Sequence, residues 1–137
     1  MKIICIGDSI TYGQNVRADE AWPAVLARLT GHDVRNAGVC GDTTRLGLER
    51  FPKDVQLHNP DVVVIQFGHN DANCWETDNG LPRVSEDAYA ANIREMLARA
   101  GKVGLVLRPI PAAVARTTTA AWPDTAIPRA LACLTVR

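Results

Sequence analysis

Apolar and polar positions along the chain fall into blocks that alternate between strand and helix. Ile3-Ile4-Cys5-Ile6 is a short apolar run closed by Gly7, which predicts a buried strand over Lys2–Ile6 ending in a tight turn. Trp22, Val25, Leu26 and Leu29 recur at helical spacing. Asp19 stands ready to cap that helix, Pro23 is tolerated in its first turn, and Gly31 stops it. Asp33–Asn36 predicts a second short strand. About Thr44–Phe51 predicts a second helix with Leu46, Leu48 and Phe51 toward the core, and Pro52–Leu57 a further turn. Val62-Val63-Val64-Ile65 is continuously apolar, so the strand Asp61–Phe67 should be buried on both faces. A loop from Gly68 to about Val84 leads to Ser85, which caps a helix over Glu86–Ala100 with Tyr89, Ile93, Met96 and Leu97 inward. Val103–Leu107 predicts a fourth strand. This β-α-β-α order implies an α/β fold with a parallel sheet, right-handed crossovers and helices on both faces.

The pattern stops after Arg108. Pro109, Pro111, Pro123 and Pro128 interrupt the tail, alanines and Thr117-Thr118-Thr119 fill much of it, and Asp124 is its one acid against Arg108, Arg116, Arg129 and Arg137. Only Ala130–Val136 is apolar enough to pack, as strand or helix. The expected organisation is a core domain over residues 1–110 and an atypical tail over 111–137. A frameshift or early stop in a longer gene, or a natural short variant, would give this change. On that expectation the sheet edge beside strand four is uncovered, which would favour oligomers.

Composition adds mainly exclusions. A chain of 137 residues that is 47% hydrophobic can bury a real core as one domain. Formal net charge is zero and no basic run occurs, which argues against nucleic acid as a partner. No apolar stretch is long enough to span a bilayer, and no signal peptide precedes the first strand, so the expected location is cytoplasmic. Cys5, Cys40, Cys74 and Cys133 form no C-x-x-C pair and read as isolated reduced thiols. No metal or organic cofactor is implied.

The candidate chemistry lies in three turns. Gly7-Asp8-Ser9-Ile10-Thr11, Asn36-Ala37-Gly38-Val39-Cys40-Gly41-Asp42-Thr43-Thr44 and Gly68-His69-Asn70-Asp71 each follow a strand. In an open α/β sheet the carboxyl ends of the strands are where ligands bind. Ser9 is placed either as an exposed nucleophile after a sharp turn or as a helix cap. Gly41 and Asn70 read alone as a turn glycine and an Asx turn. Asp8 and Asp71 are expected to bond local backbone and shape the site. His32 and His58 precede strands and so belong to the opposite edge. His69 alone is on the serine's edge, where it reads as a rim residue lining the pocket. Trp75, in the loop beyond, either lines an acyl pocket or anchors the loop.

Three such blocks in order resemble the SGNH (GDSL) hydrolase family, and within it the bacterial thioesterase/lysophospholipase and arylesterase branch. Ala21-Trp22-Pro23 and Gly41-Asp42-Thr43 fit that branch too, and the resemblance covers roughly residues 2–110. It implies a flavodoxin-like three-layer α/β/α fold, here incomplete at its C-terminus. It implies Ser9 as nucleophile, passing through an acyl-Ser9 intermediate. The backbone N–H groups of Ser9 and Gly41 and the Asn70 amide would be the oxyanion donors, acting on a small acyl ester or thioester. The family's late Asp-x-x-His block has no counterpart, because no histidine follows His69. A serine without a base is a poor nucleophile at neutral pH, so weak or absent activity is expected. The alternatives are a non-catalytic ligand-binding protein of the same fold and a carbohydrate O-deacetylase. Flavodoxin-like cofactor binders share the element order, but these turns do not look like phosphate loops.

Overall fold

The computed structural model describes residues 1–101, 108–109 and 132–134. Strands β1 (Lys2–Gly7), β2 (Asp33–Gly38) and β3 (Val62–Gln66) are joined by helices α1 (Ser9–Tyr12), α2 (Trp22–Thr30) and α3 (Thr44–Asp54). The short α4 (His69–Ala72) and the long α5 (Glu86–Gly101) follow, then β4 (Arg108–Pro109) and β5 (Ala132–Leu134). The sheet runs β2-β1-β3-β5-β4. β1 pairs in parallel with both β2 and β3, so the expected parallel α/β core is present.

β1 is an interior strand between β2 and β3, and Ile3, Ile4, Cys5 and Ile6 are all buried. A strand whose successive side chains point to opposite faces can do this only when both faces are covered. Phe51 of α3 and Tyr89, Ile93 and Met96 of α5 join the same core. α5 begins where Ser85 Oγ accepts from Ala88 N at 3.3 Å, the expected cap.

Several expectations are corrected. α2 starts at Trp22 after Ala21, with no side-chain cap. Asp19 instead accepts from the Arg17 guanidinium at 3.2 Å, an exposed pair that holds the preceding turn. Leu29 is 78% exposed and Leu46 40%, so helical spacing overstated the width of both apolar stripes. Trp22 packs on the core only in part. The expected strand Val103–Leu107 lies outside the described residues. The place beside β3 is taken by β5, antiparallel, through Val63↔Leu134 and Val64↔Cys133. The segment left open between strand and helix therefore contains a strand, and that side of β3 is paired.

Two close approaches bring α1 onto the sheet. A Cβ on Gly38 would fall 2.1 Å from Tyr12 N, so only glycine lets β2 end against the backbone of α1. Asn36 Nδ2 donates to Thr11 O at 2.8 Å and fixes the same contact.

Candidate active site

Register places the three turns together. Gly7 stands opposite Gly38 on one side and Gln66 on the other, so β1, β2 and β3 end level. Ser9 follows the first strand end, Gly41 the second and Asn70 the third. His32 and His58 lie at the other edge: the Lys2 ammonium, at the start of β1, donates to His58 O at 3.0 Å.

The first turn separates capping from chemistry. Asp8, not Ser9, caps α1, with Oδ1 accepting from Ile10 N at 2.9 Å. Ser9 is the first helical residue. Among the described residues no group hydrogen-bonds to Ser9 Oγ, so the hydroxyl is uncommitted and no base is hydrogen-bonded to it. Asp8 itself is fully buried, and its Oδ2 has no partner at hydrogen-bond distance. Burial pushes its carboxyl above the usual carboxylate range. The Ile10 N–H, the charge of His69 and the neighbouring Gln66 amide oppose that shift, and Asp71 adds to it. Gln66 Oε1 is held by the Thr11 hydroxyl at 2.7 Å.

The second and third turns are tied directly to each other. Gly41 adopts φ +83°, a left-handed conformation that favours glycine, and nothing comes within 4 Å of its Cβ position. Open space, rather than crowding, lies where its Cβ would be. Asn70 Nδ2 donates to Asp42 O at 2.8 Å, so Asn70 makes a bond between turns rather than a local Asx turn. Asp71 accepts from Thr44 N at 3.0 Å on both oxygens, and from Thr44 Oγ1. The sequence reading gave Asp71 a local role; its partner is in fact 27 positions away. Burial raises the Asp71 carboxyl pKa, against the Thr44 hydrogen bonds and the charge of Arg83. Tyr89 packs behind this turn, and burial with help from Asp71 pushes its phenol up to about 12.

A serine free of capping duty thus shares a sheet edge with a left-handed glycine and an anchored asparagine. Residues 5–132 match the model of the GDSL-like lipase/acylhydrolase family. The chain belongs to that family. Thioesterase 1/protease 1/lysophospholipase L1 of Escherichia coli K12 is 33% identical over 101 residues, covering 69% of this chain and 49% of that protein. The arylesterase of Vibrio mimicus is 37% identical over 75 residues, covering 51% and 38% respectively. The crystal structure of the lipase/acylhydrolase from Enterococcus faecalis aligns with TM-score 0.57 and 34% identity, over 75% of this chain and 52% of that one. The chain therefore spans about half the length, or less, of these curated relatives.

In this GDSL-family chain the remaining candidates sit at the margin of the three turns. His69 opens α4 and is exposed. Trp75 is 51% exposed and lies under the Arg83 guanidinium, 5.0 Å from the ring centroid. Arg83 also donates to Gly41 O at 3.1 Å, so Trp75 is linked to the second turn through a residue that the sequence did not single out. An open cleft of about 340 Å³ is lined by Thr43, Arg45, Leu46, Glu49, Arg83 and Val84. It adjoins the second turn and includes none of Ser9, Gly41 or Asn70.

Asp8 gives the first test. Between 3.8, its ordinary value, and its raised folded value, the native state binds more protons than the unfolded state. Stability contributed by this group therefore falls as pH rises through that window. Asp8→Asn keeps the oxygen that accepts from Ile10 N and removes the titration. The stability of Asp8→Asn relative to the native chain should therefore increase as pH rises above about 4, read by urea unfolding at each pH. A difference independent of pH would show that the folded and unfolded carboxyls titrate alike.

Proposed function

We propose that the chain acts as a serine acyl-ester hydrolase of the esterase/thioesterase type, with Ser9 as nucleophile. The observation that carries this reading is that Asp8 takes over the helix cap, which leaves the Ser9 hydroxyl uncommitted at the edge shared with Gly41 and Asn70. In the proposed reaction Ser9 Oγ attacks the acyl carbonyl carbon and loses its proton to a base. The carbonyl oxygen becomes an oxyanion, received by the N–H groups of Ser9 and Gly41 and by Asn70 Nδ2. Collapse expels the alcohol or thiol, which takes up a proton, and leaves acyl-Ser9. Water then attacks that ester, releasing the acid and restoring Ser9. Preorganised donors of this kind stabilise developing charge at no cost of reorganisation.

The substrate class is a small or medium acyl ester or thioester. The name of one relative, the acetylxylan esterase of Xylanibacter ruminicola, which is 34% identical over 117 residues, keeps a carbohydrate O-acetyl ester within this class. A non-catalytic, ligand-binding role is the second reading, favoured by the lack, among the described residues, of a base hydrogen-bonded to Ser9 Oγ.

A p-nitrophenyl acetate assay separates them. Residues 1–137 should show weak hydrolysis, and Ser9→Ala should lower it to the roughly 10³–10⁴ over water that oxyanion donors and binding alone leave. Robust turnover abolished by Ser9→Ala would overturn the missing-base argument, and His69→Ala would then test the one histidine on this edge. A rate unaffected by Ser9→Ala would favour the binding role.

A further inference from the structure

Arg50 lies in the middle of α3, between Glu49 and Phe51, and arginine is a residue type ordinarily exposed to solvent. Its side chain is instead only 17% exposed, and its guanidinium is spread over four acceptors. Nη2 donates to Gly7 O at 2.9 Å, and Nη1 to Ala37 O at 2.8 Å. Nε donates to Asp42 Oδ2 at 2.6 Å and Nη1 also to Asp54 Oδ2 at 2.9 Å. Four of the five N–H donors of a guanidinium are thereby used on one residue each from β1, β2, the second turn and α3 itself.

The identity of those acceptors matters more than their number. Gly7 is two residues before Ser9. Ala37 precedes the glycine that meets α1. Asp42 directly follows Gly41, and its carbonyl oxygen is the acceptor for Asn70 Nδ2. Gly7 O also accepts from Val39 N at 3.0 Å, so the first two turns touch at the same atom that Arg50 holds. All three turns are therefore within one or two bonds of a single planar cation. Asp54, four residues on along the same helix, fixes the orientation of the fork from below.

We propose that Arg50 is the positioning residue of the site, setting the spacing between the Ser9 turn, the Gly41 turn and the Asn70 amide. The inference rests on the acyl-Ser9 reading for its chemical consequence, and on the hydrogen bonds alone for its geometric one. A lysine keeps the charge and much of the stem, but its point-like ammonium cannot span two carbonyls and a carboxylate in the fork geometry. Arg50→Lys therefore separates charge from geometry, and Arg50→Met removes both.

The test pairs two readouts on the 137-residue chain. One is ¹H–¹⁵N NMR of the Gly41 backbone amide and the Asn70 side-chain amide. The other is the rate of Ser9 phosphonylation by an alkyl fluorophosphonate, followed by mass spectrometry and normalised to folded protein. In both variants the Gly41 and Asn70 signals should move while the Ile93 and Met96 backbone signals stay in place. Misplacement by about an ångström typically costs on the order of 100-fold in rate, so Arg50→Met should slow labelling by about that factor and Arg50→Lys by less. Arg99→Met, in an exposed pair on α5, serves as the control with an unchanged rate. Unmoved Gly41 and Asn70 signals would overturn the proposal, as would moved signals with an unchanged labelling rate. A role confined to stability would lower Tm and leave the normalised rate intact. If Arg50→Met fails to fold, Arg50→Lys carries the comparison. If the native chain is not labelled at Ser9 at all, the acyl-Ser9 reading fails, and the amide signals still decide whether Arg50 sets the geometry.

Discussion

Asn70→Ala should slow reaction of Ser9 with an acyl or phosphonyl electrophile by 10²–10³-fold. This corresponds to about 2.7–4 kcal/mol of transition-state stabilisation, the usual cost of one lost oxyanion donor. The Asn70 amide has two N–H donors. One is engaged with Asp42 O, which fixes the plane of the group and leaves the second to point elsewhere. Losing the Asp42 bond alone would cost only about 1 kcal/mol of stability, so a large rate effect with a small shift in Tm is the signature of a donor. Equal, small effects on both would reduce Asn70 to a bridge between turns. Phosphonylation kinetics and thermal unfolding of the same variant give both numbers.

Asp71→Ala should destabilise the fold by roughly 3 kcal/mol, because it strands two donors at once. Thr44 N and Thr44 Oγ1 both donate to this carboxylate, and both residues are buried. Asn92 Nδ2 donates to the same Thr44 hydroxyl at 3.0 Å, so α5 is coupled to the pair as well. Asp71→Asn keeps an acceptor and removes a buried charge whose carboxyl burial already raises. Its cost should therefore be less than half that of the alanine variant. Urea unfolding at neutral pH measures both. Similar losses in the two variants would assign the stabilisation to charge rather than to hydrogen bonding.

The parts of this fold that the sequence made legible are those with one dominant local signal. Ile3–Ile6 and Val62–Ile65 are apolar throughout because both faces of the sheet are covered, so the strands were unmistakable. The three turns were legible because Gly, Asp, Ser and Asn cluster at strand ends. Helix spacing also placed Tyr89, Ile93 and Met96 correctly. It failed for Leu29 and Leu46, since periodicity gives a face but not how far the neighbouring element extends over it. Asp19 is a good cap by residue type, yet the chain turns too late for it, and Arg17 takes it as an ion-pair partner.

The long-range polar contacts were beyond sequence reasoning. Asp71 was expected to serve its own turn, and its role as acceptor for Thr44 depends on β2 and β3 ending level on either side of β1. Arg50 carries no motif at all. Its side chain is defined by where Gly7 O and Ala37 O emerge, which is a property of register. Arg83 was likewise invisible, because its contacts with Gly41 O and Trp75 arise only once the loop after α4 folds back, with Arg83 N donating to Asn73 O at 3.0 Å.

The central claim is that Ser9 is the nucleophile of this edge, and covalent capture tests it most directly. The 137-residue chain is incubated with an alkyl fluorophosphonate, digested and mapped by mass spectrometry. The account predicts a single adduct on the peptide containing Ser9, formed slowly, and no adduct at the corresponding peptide of Ser9→Ala. A folded native chain left unmodified, or modified to the same extent in Ser9→Ala, would contradict it.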